Sequence, residues 1–517
     1  MSNNLIQRSI KLLLCICLTS TFFMAQGQSW SDVLSVNLKN IAPIYENNNV
    51  KGYYMFYEVE KKDRKTRKYL LQFLDENMNV IAKKYITGTR TLELLEGHYN
   101  GQNLLLKFSD SKEKVITFRV YNTAAELVYK KTKSLDVKRN FTGGSKGAEV
   151  TAIGAGVIPV SNKGFANIEL VRNKRMGYEV TYLQNEKGRK GWVYATDAKS
   201  KEFQTANFMG TTKDLILITV TKRPNGFSTE TTNYLLGIDI NSGKKRFEHK
   251  LEDKEYKVLF MNSYFDENTK KLTLMGLFFD RKNSVASNRS KGLCIYTVDE
   301  TGTVNDKKYL GWTTEISKLL PVNHKGKIED VGYMFFQNIF RTSDGRLFAV
   351  AEQYRKRMSG VGIAAKVLNR NNNISVTKIM IEDIMVLEFT KDNELRDVTF
   401  FDKSKSNLAL PAGGALLNVQ ILGQLANYYG GYDYIFTQQH KDSDVFSFVF
   451  NDYDREKKNW TIKSVTYVDD AYSTDEMELS SDYEDFIVMQ GKSGHVLLAE
   501  YNEKKKTLDM RLEKINY

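Results

Sequence analysis

The chain has 517 residues, with 75 Lys+Arg against 62 Asp+Glu for a formal net charge of +13, and only 5 Pro and 3 Cys. Its mean hydropathy of −0.44, with 41% hydrophobic residues, fits a soluble globular protein and excludes disordered, polytopic, collagen-like and coiled-coil classes. The length allows two to four domains or one large repeat fold.

Residues 1–27 read as an export leader. Arg8 and Lys11 supply the charged start, 12–24 is an apolar run too short for a comfortable membrane span, and Ala25-Gln26-Gly27 is a small-x-small cleavage site. Cys15 and Cys17 sit early in that run and follow Leu14 and Ile16, so a lipoprotein is not expected. The mature chain, expected from Gln28, has no transmembrane stretch and should be periplasmic or extracellular. Its one cysteine, Cys294, lies in an apolar string and is expected to be buried.

Beyond the leader one unit returns: a strand, a polar turn and a second strand. Copies occur at 69–86, 115–131, 178–195, 234–251, 292–312, 384–401, 446–467 and 495–515. Most are preceded by further strand candidates, such as 52–60 and 215–221, making about four strands per unit. Several strands are apolar on both faces and the chain has few helices to cover them, so neighbouring sheets must do so. Radial stacking of four-stranded meanders, an all-β propeller, meets that need. Eight blades are predicted, with seven the alternative if two weak copies merge. Residues 28–517 should form a single propeller domain, monomeric, with an insert at about 355–383 and a short helix at about 412–428. The Gly-rich stretch 142–156 has no phosphate-loop order and reads as a loose connection.

The search for chemistry is largely negative. The five His are scattered, and HxH, HExxH, CxxC and GxSxG are absent, so no metal site, cofactor or serine nucleophile is expected. The acidic stretch 469–485 lacks regular ligand spacing and reads as a solvated blade connection. A glycan-cleaving enzyme is the alternative to a binding protein. Glu352, Glu382, Asp383 and Glu388 would supply its carboxylate pair, 5–10 Å apart in a pocket.

Residues 237–247 resemble the outer-hairpin signature of the quinoprotein-type propeller repeat, with Gly237, Asp239, Ser242, Gly243 and Phe247 in its places. The resemblance implies propeller geometry and no quinone cofactor. Through EQYRKR (352–357) and IEDIMVLEF (381–389), the chain resembles the uncharacterised exported β-propeller-like proteins of Bacteroidota, which implies no activity.

Charge divides once a propeller is assumed. Second-to-third-strand loops, taken as 61–68, 110–114, 172–177, 222–233, 280–291, 355–361, 440–444 and 491–494, hold 22 Lys+Arg and 7 Asp+Glu. The third-to-fourth-strand turns, among which 451–458 and 502–506 are placed, hold 16 and 14. A basic face for an anionic partner follows: polysaccharide, lipid phosphate or acidic protein. Its contributors would be Lys61, Lys62, Arg64, Lys65, Arg172, Lys174, Arg175, Arg355, Lys356 and Arg357. Specific nucleic-acid recognition is not expected, because these loops carry few aromatics to stack on bases.

Overall fold

A computed structural model describes residues 26–515 except 47–48, 135–155, 174, 187, 198, 226–227, 229, 267, 286–288, 329–331, 359–376, 410–417, 441–443, 455, 457 and 480–484. Eight antiparallel sheets are arranged as an eight-bladed β-propeller. Blade 1 runs through Ile41–Glu46, Asn49–Lys61, Thr66–Asp75 and Val80–Thr89, and the next five follow as unbroken meanders. Blade 6 comprises Tyr333–Arg341, Leu347–Met358, Thr377–Phe389 and Leu395–Phe401, and blade 7 Tyr434–Gln439, Phe446–Asp454, Asn459–Val468 and Ala471–Glu478. Blade 8 takes Asp485–Gln490, His495–Asn502 and Thr507–Lys514 from the end of the chain. Its fourth strand, Gln26–Trp30, comes from the beginning and pairs with Leu508–Leu512.

The doubly apolar strands have a direct cause. Nine hydrophobic clusters form among the described residues, and eight of them lie between neighbouring blades, one per junction. A middle strand such as Leu215–Arg223 therefore buries both faces, whereas an outer strand such as Leu127–Ser134 alternates with solvent. Cys294 is buried in the cluster between blades 4 and 5.

The glycine-containing turn at 239–244 is one of five third-to-fourth-strand turns built alike among the described residues. An oxygen side chain opens each turn and accepts backbone N–H groups, as Asp75 does from Asn77 and Asn79 at 2.9 and 2.8 Å and Asn122 from Ala124 and Glu126 at 3.1 and 2.9 Å. Asp239, Asp299 and Thr390 do the same. A left-handed residue follows in each: Met78, Ala125, Gly243, Gly302 and Asn393, with φ between 59° and 86°. Each of these blades then has a β-bulge in its fourth strand. Gly243 is required on a second count, since a Cβ there would lie 2.5 Å from the Trp192 ring docked from blade 3.

Topology corrects the assignment of the last two repeat units. The hairpins at 446–467 and 495–515 join second and third strands, not third and fourth. Blade 7 starts one strand later than expected, after the helix, and its real fourth strand is the acidic Ala471–Glu478. The loops 440–444 and 491–494 consequently lie on the opposite side from 61–68, and 502–506 lies on the same side. Within the expected insert, Tyr354–Met358 pair with Thr377–Ile381, and Ser406–Ala409 add a further strand against Lys378–Ile381. Blade 6 thus rises above the disc as a three-stranded extension. The helix spans Val419–Tyr428, capped by the Asn418 side chain; residues 411–417 and the Gly-rich 142–155 fall outside the described residues.

Candidate functional site

The blade 6 extension gathers much of what the sequence singled out. Its ninth hydrophobic cluster packs Phe335, Tyr354, Ile379 and Ile381 against Leu422, Leu425 and Ala426 of the helix. Gly423 makes this approach possible, because a Cβ there would stand 2.7 Å from the Tyr354 ring. The Tyr354 hydroxyl donates to the Val419 carbonyl at 2.8 Å, and Tyr432, stacked on Phe335 at 4.9 Å, donates to Gly423 at 3.2 Å. Aromatic hydroxyls therefore peg the helix to the extension.

Below it lies a largely buried ionic cluster. Lys403 reaches Asp433 at 2.5 Å and Glu352 at 3.7 Å, with neither the Lys403 nor the Glu352 side chain exposed. Glu352 also accepts the Asp433 and Tyr434 N–H groups at 3.0 and 3.1 Å and the Gln337 amide at 3.0 Å. The second strand of blade 6 is thereby bolted to the first strand of blade 7. Burial pushes the Glu352 carboxyl up to about 7, with Lys403 opposing the shift. Because this value lies above that of an unfolded glutamate, the contribution to stability is complete below about pH 4.5 and is lost as pH rises through 7. Stability should fall by up to about 3 kcal/mol from this group between pH 5 and 8, and Glu352→Gln should flatten that slope. Urea midpoints at the two pH values measure it; parallel slopes for wild type and variant would refute the assignment.

Each of the other three candidate carboxylates has its own partners. Glu382 is buried under Arg355 and Lys405, the latter at 3.1 Å. Asp383 accepts the Lys403 N–H at 3.2 Å. Glu388 is held by Arg346 and Arg396 at 2.9 and 2.6 Å. Strand register sets Glu352 opposite Ile384 and Glu388 opposite Phe348, four residues away along the strand, or about 13 Å. Arg and Lys side chains thus face Glu352, Glu382 and Glu388, while Asp383 takes a backbone N–H.

Of the basic residues, Lys61, Lys62, Arg64 and Lys65 are exposed around an Asp63-stabilised turn. Lys356 and Arg357 are exposed at the top of the extension, whereas Arg355 turns down to Glu382. Arg172 and Arg175 flank a tight hairpin; their side chains, and all of Lys174, lie outside the described residues. With loop positions taken from the strands themselves, the second-to-third connections (62–65, 111–114, 174, 224–231, 281–291, 359–376, 455–458, 503–506) hold 18 Lys+Arg and 5 Asp+Glu. Fourth-to-first connections on the same side are nearly balanced, with 13 and 15. The third-to-fourth turns opposite hold 5 and 9.

Among the described residues no group of three or more His, Cys, Asp or Glu is placed to hold a metal, and no helix is long and apolar enough to cross a membrane. Sequence reasoning missed Lys403 and Asp433. The signal for Lys403 is the short polar run DKSKS (402–406) directly after an apolar strand, and Asp433 has none.

A family model covers residues 5–516, nearly the whole chain. The chain belongs to DUF6770, a family of unknown function. No curated protein matches it. Among solved structures, this member of DUF6770 is similar to prolyl oligopeptidase B from Galerina marginata, at 9% identity and TM-score 0.42 over 90% of this chain and 56% of that one. It is similar also to polysaccharide lyase Uly1, at 9% identity and TM-score 0.33 over 94% and 92%. A third is the α-L-arabinofuranosidase arb93a from Fusarium graminearum, at 8% identity and TM-score 0.32 over 73% and 97%. The chain spans 54–58% of the length of the prolyl endopeptidases it resembles. Likenesses this remote transfer no activity to DUF6770.

Proposed function

We propose that the protein is an exported, non-enzymatic binding propeller that engages an anionic polymer through the side bearing its second-to-third-strand loops. One observation carries the reading: those loops hold 18 Lys+Arg and 5 Asp+Glu, against 5 and 9 in the third-to-fourth turns opposite. A cationic surface of this kind concentrates polyanions, and its attraction weakens as the Debye length shrinks, from about 10 Å at 0.1 M salt to about 3 Å at 1 M. The leader-like first 27 residues support an encounter outside the cytoplasm, and a single ring needs no second copy to present this side. The burial and pairing of Glu352, Glu382 and Glu388 favour binding over glycan cleavage.

The test is retention of the full chain on a sulfonated resin across a salt gradient. Wild type should bind at low salt and elute steeply. Reversing Lys61, Lys62, Arg64 and Lys65 to Glu should bring elution forward. The same change at Lys190, Lys244 and Lys391, exposed in opposite-side turns, should have much less effect. Equal elution of the two variants would sink the proposal.

A further inference from the structure

The helix on the blade 6 extension leaves something exposed that its packing does not explain. Leu422, Gly423, Leu425 and Ala426 of its buried face pack against the extension, and Gln420 bonds Ser290. At its end Tyr428 and Tyr429 are 56% and 45% exposed, with ring centroids 5.3 Å apart and edge to face. The chain turns immediately afterwards. Gly430 adopts φ +63°, and the Gly430 and Gly431 N–H groups return to the Asn427 and Ala426 carbonyls at 3.0 and 2.9 Å. The backbone under both rings is therefore fixed before any ligand arrives, which lowers the entropic cost of using them.

Their neighbours are cationic. Gly431 lies against Leu408, Leu408 pairs with Ile379, and Ile379 pairs with Lys356. At roughly 4.8 Å between strands, this row brings Lys356 within about 10 Å of Leu408. Arg357 and Lys378 are cross-strand partners one position further out, so their side chains belong to the opposite face of the extension. Lys356 thus stands on the helix-bearing face of the extension, on the side that carries the basic loops.

We infer that this strip is the subsite for an acidic polysaccharide. The inference rests on the anionic-partner reading above and adds to it a class of ligand and a location. Sugar rings present an apolar C–H face that packs on tyrosine while their hydroxyls stay hydrated, and uronate carboxylates pair with Arg and Lys. A bilayer fits less well, because Leu422 and Leu425 of the helix are turned inward and its exposed large side chains are amphipathic tyrosines.

Affinity electrophoresis of the full chain in native gels containing sodium alginate, neutral dextran or no polymer reads this directly. Alginate should retard the wild type and dextran should not. Tyr428→Ala with Tyr429→Ala leaves net charge unchanged and should weaken alginate binding at least fivefold. The double Phe variant keeps both rings and should bind almost like wild type, which separates loss of the platform from loss of fold. Tyr85→Ala, exposed on an outer strand of blade 1, should change nothing. If the double Ala variant stays within twofold of wild type while the Lys61, Lys62, Arg64 and Lys65 reversals weaken binding, the tyrosine platform is wrong and the basic side survives. Binding to single-stranded DNA or phosphatidylserine vesicles without binding to alginate overturns the glycan assignment.

Discussion

Lys403→Met is expected to destabilise the protein by about 3–5 kcal/mol, seen as a large drop in urea midpoint at pH 7.5. The ammonium is wholly buried between Glu352 and Asp433, so its removal strands two carboxylates in an interior where each is costly to ionise. Part of the loss should return on acidification, as Glu352 takes up a proton. Lys405, two residues on, is half exposed and shares Glu382 with Arg355. Lys405→Met should therefore cost under about 1 kcal/mol. Similar losses from the two changes would show that the cluster does not join blades 6 and 7 as described.

Deleting residues 26–30 should be more damaging still. Those five residues are the entire fourth strand of blade 8, and they pair with Leu508–Leu512. Without them Thr507–Lys514 becomes an open edge whose neighbour cluster includes Leu508, Met510 and Leu512. Exposed edges of this kind recruit other chains. The truncated protein should unfold at much lower denaturant and appear as soluble aggregate in size-exclusion chromatography. A chain beginning at Gln28 keeps the pairs of Gln28, Ser29 and Trp30 and should remain monomeric. A monomeric, equally stable chain beginning at Ser31 would contradict ring closure by the first strand.

The repeat was legible because each blade has two buried faces, which writes doubly apolar strands such as Leu272–Phe279 into the sequence. Its phase was not. The closing strand, Gln26–Trp30, is short and polar and lies some 480 residues from its partner. The acidic fourth strand of blade 7, with Asp475 and Glu476, resembles a solvated loop because outer strands meet water. Four of the five related turns were hidden because Asp, Asn and Thr are interchangeable as acceptors, and Met78, Ala125 and Asn393 occupy left-handed positions without glycine. At the site, sequence reasoning located the helix and the acidic residues of 352–388 but not their buried partners. Lys403 and Asp433 lie 51 and 81 residues from Glu352, and no local pattern joins them.

The corrected phase supplies the sharpest test of the proposed binding side. Lys504, Lys505 and Lys506 sit between the second and third strands of blade 8, on the same side as Lys61–Lys65 although far from them in sequence. Reversing all three to Glu and measuring the salt concentration of elution from a sulfonated resin asks whether that side acts as one surface. Earlier elution, comparable with that of the Lys61, Lys62, Arg64 and Lys65 variant, is the expected result. Elution matching the Lys190, Lys244 and Lys391 variant would contradict a binding surface spread over that side of the ring.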